Sequence, residues 1–212
     1  MKNYWNPQRR AMLYNDYFGD KWPDSKFMIS DRWISATWFI GNNYRSESKR
    51  NDKDEPFFGA YPRGYLKRTS CMFPDAVNIL HLFSGSLTDE QVHENLLNNQ
   101  EAFRVDWDRV NNPDAVYEIE KISEIFIPGY YDLIFADPPY SVEDAEHYGK
   151  CLVNKQKVLQ ECHKILKPGG SLLWMDQSPP IYAKRDWNFY GTISIYRSTN
   201  NRIRGVMMFE KI

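Results

Sequence analysis

Along the chain, seven stretches carry the apolar rhythm of strands and three that of helices. "AVNILHLF" (76–83) is a strand-forming run that breaks at "SGS", and a polar stretch with spaced apolar positions, "TDEQVHENLLNN" (88–99), predicts the helix after it. "AFRVDW" (102–107) and "DAVYEI" (114–119) read as strands, and Leu133, Ile134 and Phe135 form a short continuous apolar run of the kind buried on both faces of a sheet. A helix is predicted from about Glu143 to Leu166, ended by "KPGG", whose glycines suit a left-handed cap and whose proline stops propagation. "SLLWMD" (171–176) is the next strand. The tail from Asn188 alternates at Ile193 and Ile195 and again at Val206 and Met208 around the turn "STNN", which predicts an antiparallel hairpin. An earlier helix opens at Pro62, since proline suits a first helical turn.

Strand and helix therefore alternate in the order of an α/β fold with a mostly parallel sheet of seven strands and an antiparallel C-terminal finish. Residues 1–58 lack such a rhythm, and they are expected to form an irregular N-terminal extension packed on a catalytic unit of residues 59–212. Within the extension, "SESKRNDKDEP" (46–56) reads as a polar loop.

Composition narrows the field. At 212 residues with 42% hydrophobic content, the chain is sized for one domain with a substantial core. A net charge of −1 gives no general attraction to nucleic acid, so a polyanion would have to be held by local groups. The basic residues Arg45, Lys49, Arg50, Arg63, Lys67, Arg68, Arg197, Arg202 and Arg204 read first as solvated surface, with phosphate contact as the alternative. Cys71, Cys151 and Cys162 are odd in number and lack ligand spacing, so neither disulfides nor a metal site is expected, and the reading is a cytoplasmic protein. There is no apolar run of membrane-spanning length.

The most pointed segment is "YYDLIFADPPYSV" (130–142). Pro138 lacks an N–H for a ladder and Pro139 locks its φ, so the strand must stop and leave Asp137 and the Pro138 carbonyl in a stiff loop. In open α/β sheets that edge is where ligands bind. A glycine turn, Phe83-Ser84-Gly85-Ser86, follows an earlier strand about fifty residues before it.

Asp137, Pro138, Pro139 and Tyr140 match in full the "[DNS]-P-P-[YFW]" signature of S-adenosylmethionine-dependent amino-methyltransferases acting on adenine N6 or cytosine N4 of DNA, and the chain resembles that family over about residues 59–211. "LHLFSGS" resembles the family's cofactor loop, with His81 where an acid is common and Leu87 where a third glycine is common. The resemblance implies a Rossmann-like methyltransferase fold and S-adenosylmethionine as cofactor, with no metal. It places Tyr61 and Pro62 at the cofactor's methionine end, Phe83, Ser84, Gly85 and Ser86 in its loop, Asp106 on the ribose hydroxyls with Asp108 as the second choice, and Glu118 near the adenine amino group. Asp137, Pro138, Pro139 and Tyr140 become the catalytic set: the carboxylate and carbonyl accept from the target amino group, and Tyr140 stacks on an extruded base.

The short spacing between the two motifs resembles compact, phage-like enzymes without a separate target-recognition domain. DNA is the expected partner, with specificity supplied by residues 1–60 and the final hairpin, by a homodimer or by a specificity subunit. Methylation of RNA at adenine N6 or guanine N2 is the neighbouring alternative, and a silent nucleic-acid-binding subunit is the alternative from another class.

Overall fold

The computed structural model describes residues 6–40, 61–62, 64–97, 99–141, 152–197 and 203–212. The polar loop 46–56, Arg45, Lys49, Arg50, Arg63, Cys151, Arg202, the turn "STNN" and the first part of the helix expected from Glu143 lie outside the described residues.

Among the described residues, nine strands form a single sheet. In chain order these are β1 (Met28–Ile29), β2 (Ile34–Ile40), β3 (Asn78–Leu82), β4 (Glu101–Asp106), β5 (Ala115–Val116), β6 (Tyr131–Ala136), β7 (Leu166–Asp176), β8 (Trp187–Arg197) and β9 (Ile203–Lys211). Their spatial order is β1-β2-β8-β9-β7-β6-β3-β4-β5. β9 runs antiparallel to both its neighbours and β1 antiparallel to β2, while the other pairings are parallel. The seven strands from β3 onward form the mostly parallel sheet with an antiparallel C-terminal hairpin, and the expected count of seven is corrected to nine by two strands from the N-terminal segment.

That segment is more regular than its composition suggested. Helix α1 (Pro7–Phe18) starts with proline in its first turn, and the Asn6 side chain caps it by accepting from the Arg9 N–H at 2.9 Å. It buries Arg10, Ala11, Tyr14 and Phe18 on one side. β2 then alternates strictly, with Ile34, Ala36, Trp38 and Ile40 buried, and pairs in parallel with β8 from Ile34↔Gly191 to Ile40↔Arg197. The Arg10 guanidinium fixes α1 to the turn before β3, donating to the Met72 carbonyl at 2.9 Å and to both carboxylate oxygens of Asp75 at 2.7 and 3.0 Å.

Two apolar layers cover the sheet. On one face α1 and the short α2 (Tyr65–Ser70) pack over Trp38, Leu133, Phe135, Ile193 and Ile195. On the other, the helix α4 (Lys155–Ile165) packs Val158, Cys162 and Ile165 over Leu80, Leu82, Ile134 and Leu172. Consecutive residues of β6 go to opposite layers, which is the period-two logic of a strand covered on both sides. Each large apolar side chain so enclosed contributes about 1.5–3 kcal/mol.

Three local expectations change. α2 begins at Tyr65 rather than Pro62, because Gly64 takes left-handed backbone (φ 82) at the residue before it. The helix predicted over 88–99 is a short α3 (Asp89–His93), opened by a capping box between Thr88 and Gln91. "KPGG" does not cap α4 in the expected way. The chain passes from Ile165 into β7 at Leu166, and Lys167–Gly170 bulge out where pairing with β6 jumps from Tyr131↔Leu166 to Leu133↔Ser171. Among the described residues no helix is long and apolar enough to cross a membrane.

Candidate active site

From β3 the chain crosses to β4 and β5 on one side and then returns to β6 on the other side of β3, so the sheet has a topological switch point between β3 and β6. Ligands of open α/β sheets bind at the carboxyl ends of strands at such a point. Leu82 and Ala136 are partners in the β3–β6 register, so the glycine turn and the "DPPY" loop leave the sheet at the same level. The Asp137 N–H reaches the Leu82 carbonyl at 3.5 Å, and Pro138 and Pro139 are buried beneath the loop.

The turn after β3 is backbone under constraint. Phe83, a residue with a full side chain, stands at φ 56, and Gly85 follows at φ 51. Left-handed backbone costs a residue like Phe83 about 1–2 kcal/mol, so the surroundings must impose it. Asp106 does much of this at the end of β4. Its Oδ2 accepts from the Gly85 N–H at 2.7 Å and its Oδ1 from the Asp108 N–H at 2.8 Å. Burial raises the Asp106 pKa, while those two N–H groups favour the carboxylate and oppose the rise. The Asn111 side chain also hydrogen-bonds this carboxylate and favours its charged form. The hydroxyl oxygens of Ser84 and Ser86 are buried with no hydrogen-bond partner, which is costly unless a ligand supplies one.

Beside this turn, a cleft of about 530 Å³ is lined by Trp107, Val116, Glu118, Ile119, Leu152 and Val153. Its walls are apolar and its rim acidic, a shape suited to a planar heterocycle carrying hydroxyls. Glu118 is exposed at that rim with its carboxylate 2.6 Å from Lys121 Nζ, and Trp107 meets the edge of Phe83 at 5.7 Å between ring centres.

The other expected residues gather around Asp137. The Tyr140 hydroxyl donates to Asp137 Oδ1, and Arg204 Nη1 lies 3.8 Å from Asp137 Oδ2. Burial, then the Asp137 charge, pushes the Tyr140 phenol well up, so it stays a donor at neutral pH. Tyr61 is buried against Tyr65, His81 and Phe135, and burial followed by the charges of Tyr65 and Asp137 pushes its phenol well up too. Pro62 is buried next to it. The expected residues thus fall into a group around Asp137 and a group around Asp106, with the β3 turn between them.

His81, standing where an acid was expected, packs its ring flat on Phe135, with ring centres 4.9 Å apart and planes at 7°. Burial, then the positive Arg104, lowers its pKa to about 3 from 6.5, so the imidazole is neutral at physiological pH. Because the unfolded chain binds a proton below about 6.5 that the fold refuses until about 3, His81 makes stability fall as pH drops through that window. The slope from this one group is up to about 1.4 kcal/mol per pH unit. Denaturant unfolding at pH 7, 6 and 5 should give a shallower acid-side loss for His81→Phe than for the wild type, and equal slopes would contradict the assignment.

Two features of the site were not picked out from sequence. Arg204 was grouped with solvated basic residues, yet it reaches the carboxylate of the "DPPY" loop. Asp176, at the end of β7, is 1% exposed and accepts from Lys155 Nζ at 2.6 Å and from the Trp174 indole N–H at 3.2 Å. The available signal was that three strands each end in an acid: β4 in Asp106, β6 before Asp137, and β7 in Asp176. Two of these carboxylates face cations, Asp176 with Lys155 and Asp137 with Arg204. Arg68 is also corrected from surface to interior: it is 4% exposed, with its guanidinium 4.0 Å from the Trp22 ring centre. Among the described residues no group of three or more His, Cys, Asp or Glu side chains is placed to hold a metal ion.

No family model matches the chain, and no curated protein does. Among solved structures, TrmN from Thermus thermophilus aligns at 15% identity and a TM-score of 0.48, over 64% of this chain and 44% of that one. This chain therefore spans less than half the length of TrmN. The N-methyltransferase NodS from Bradyrhizobium japonicum WM9 in complex with S-adenosyl-L-homocysteine aligns at 12% identity and 0.48, over 69% and 83%. An rRNA methylase from Streptococcus thermophilus aligns at 10% identity and 0.43, over 65% and 88%. Likeness at this level leaves activity and substrate to be argued from the residues of the chain itself.

Proposed function

We propose that this protein transfers a methyl group from S-adenosylmethionine to an exocyclic amino group of a nucleic-acid base, adenine N6 in DNA being the first substrate to test. The observation that carries this reading is the complete "DPPY" loop at the end of β6, emerging level with a constrained glycine turn across the switch point. When bound, the cofactor would supply an electrophilic methyl on a sulfonium, giving up its C–S bond for the new N–C bond.

The chain's own residues do the rest. An aromatic amine is a weak nucleophile because its lone pair is delocalised into the ring. Donation of its two N–H bonds to the Asp137 carboxylate and the Pro138 carbonyl draws the nitrogen toward tetrahedral geometry and frees the lone pair. Fixing both reactants in line supplies several kcal/mol of the acceleration through proximity. After transfer the nitrogen carries a positive charge and an acidic proton, which leaves to Asp137 or water, so a strong base is not needed. Tyr140 offers a ring to stack the extruded base, worth about 1–3 kcal/mol.

On the cofactor side, the buried hydroxyls of Ser84 and Ser86, the Asp106 carboxylate at the end of β4 and the cleft bearing Glu118 fit an adenosine group. Tyr61 and Pro62 are assigned to its methionine end. Calorimetry with S-adenosylmethionine, followed by labelled-methyl transfer to matched DNA and RNA oligonucleotides, tests the proposal. Cofactor binding with transfer to DNA is expected. Transfer to RNA alone would move the substrate to the RNA alternative, and absence of binding at millimolar cofactor would favour a silent nucleic-acid-binding subunit.

A further inference from the structure

Resting on the methyl-transfer reading, we infer that Arg204 is a positioning residue of the amino-group pocket, which holds Asp137 ionised and squared and confines the incoming base to one face of Tyr140. Arg204 comes from the second residue of β9, far in sequence from the "DPPY" loop. The register brings it there: Arg204 lies opposite Ile195 of β8, and the next residue, Gly205, lies opposite Asp176 of β7. Its Nη1 is 3.8 Å from Asp137 Oδ2, and its guanidinium carbon is 5.2 Å from the centre of the Tyr140 ring. The side chains of Arg204 and Asp137 are only 15% and 10% exposed, so water screens the pair weakly.

The consequence for Asp137 is geometric. One oxygen is held by the Tyr140 hydroxyl and the other faces the Arg204 guanidinium at ion-pair distance, so the two oxygens of the carboxylate meet different partners. A carboxylate that must accept from an amino group has to be anionic and must not rotate, and a neighbouring guanidinium secures the first condition while helping the second. The surroundings explain why help is needed. Tyr61 and Tyr65 approach Asp137 from the segment leading into α2 as neutral phenols, and Asp176 adds negative charge near Tyr140 while held by Lys155. Arg204 sets a positive charge beside this buried carboxylate. For Tyr140, the guanidinium beside its ring takes up one approach, and the base is assigned to the other.

The test compares Arg204→Met, Arg204→Lys and the wild type. In the free protein, the carboxyl carbon of Asp137 followed by ¹³C NMR should titrate at higher pH in Arg204→Met and return toward the wild-type midpoint in Arg204→Lys. In single-turnover transfer, Arg204→Met should be about 10- to 100-fold slower with its acid limb moved to higher pH, cofactor affinity should stay within a few-fold, and Arg204→Lys should recover part of the rate. An unmoved Asp137 midpoint in folded Arg204→Met overturns the inference. So does a variant that raises only the KM for nucleic acid, since that marks Arg204 as a substrate contact. If the wild type transfers no methyl to DNA or RNA, the reaction reading falls, and the NMR arm alone decides whether Arg204 governs the state of Asp137.

Discussion

Asp137→Ala should slow single-turnover methyl transfer by about 10²–10³-fold while leaving S-adenosylmethionine affinity within a few-fold. The variant loses a charge-assisted acceptor whose interaction strengthens as positive charge develops on the nitrogen, so the loss falls on the transition state. It also leaves the Tyr140 hydroxyl and Arg204 without the carboxylate they now hold between them, which loosens the pocket further. Tyr140→Ala should differ in kind, weakening capture of the base and raising the apparent KM for nucleic acid by about tenfold or more. Tyr140→Phe keeps the ring and should retain base capture, while losing the donor to Asp137 Oδ1 should slow transfer by less than Asp137→Ala does. Single-turnover rates and cofactor affinities for the three variants check this, and an Asp137→Ala enzyme with near wild-type turnover would remove the proposed mechanism.

The second large effect is expected at Asp106. Asp106→Ala strips partners from the buried Gly85 N–H and from the Asp108 N–H, and leaves Phe83 and Gly85 in left-handed backbone with nothing at Asp106 to impose it. Folding stability should fall by about 2–4 kcal/mol, and cofactor affinity by at least about tenfold. Asp106→Asn keeps one acceptor oxygen and should lie between. Denaturant unfolding and calorimetry measure both quantities. Normal cofactor affinity in folded Asp106→Ala, with affinity lost in Asp108→Ala, would move the ribose contact two residues along the chain.

What could be read in the sequence was what local rules govern. "LIFADPPY" announces its strand and its stop within eight residues, because apolar continuity builds the one and two prolines force the other. The C-terminal hairpin is legible for the same reason: the alternation at Ile193, Ile195, Val206 and Met208 is a local signal that β8 and β9 follow. β2 was missed although Ile34, Ala36, Trp38 and Ile40 alternate cleanly. Its partner β8 is about 150 residues away in a parallel pairing, and no turn between them marks the pair.

Charged residues were read least well, since burial of a charge depends on partners brought by the fold. Arg68 enters an aromatic layer formed by Trp22 and Trp38 from the N-terminal segment, and Arg204 meets Asp137 only through the β7–β9 and β8–β9 registers. Asp106 was named through the family resemblance of "FRVDWD", and its hold on the Gly85 N–H becomes visible only once β3 and β4 are side by side.

In the proposed reaction a carboxylate and a carbonyl at the end of β6 accept the two hydrogens of a base amino group, so the methyl must go to an exocyclic nitrogen. Labelled-methyl transfer to unmodified genomic DNA and to total RNA, followed by nucleoside mass analysis, tests this directly. Label is expected on an exocyclic amino nitrogen, with N6-methyladenine in DNA as the leading product. Label on a ring carbon, a ring nitrogen or a ribose hydroxyl would contradict it.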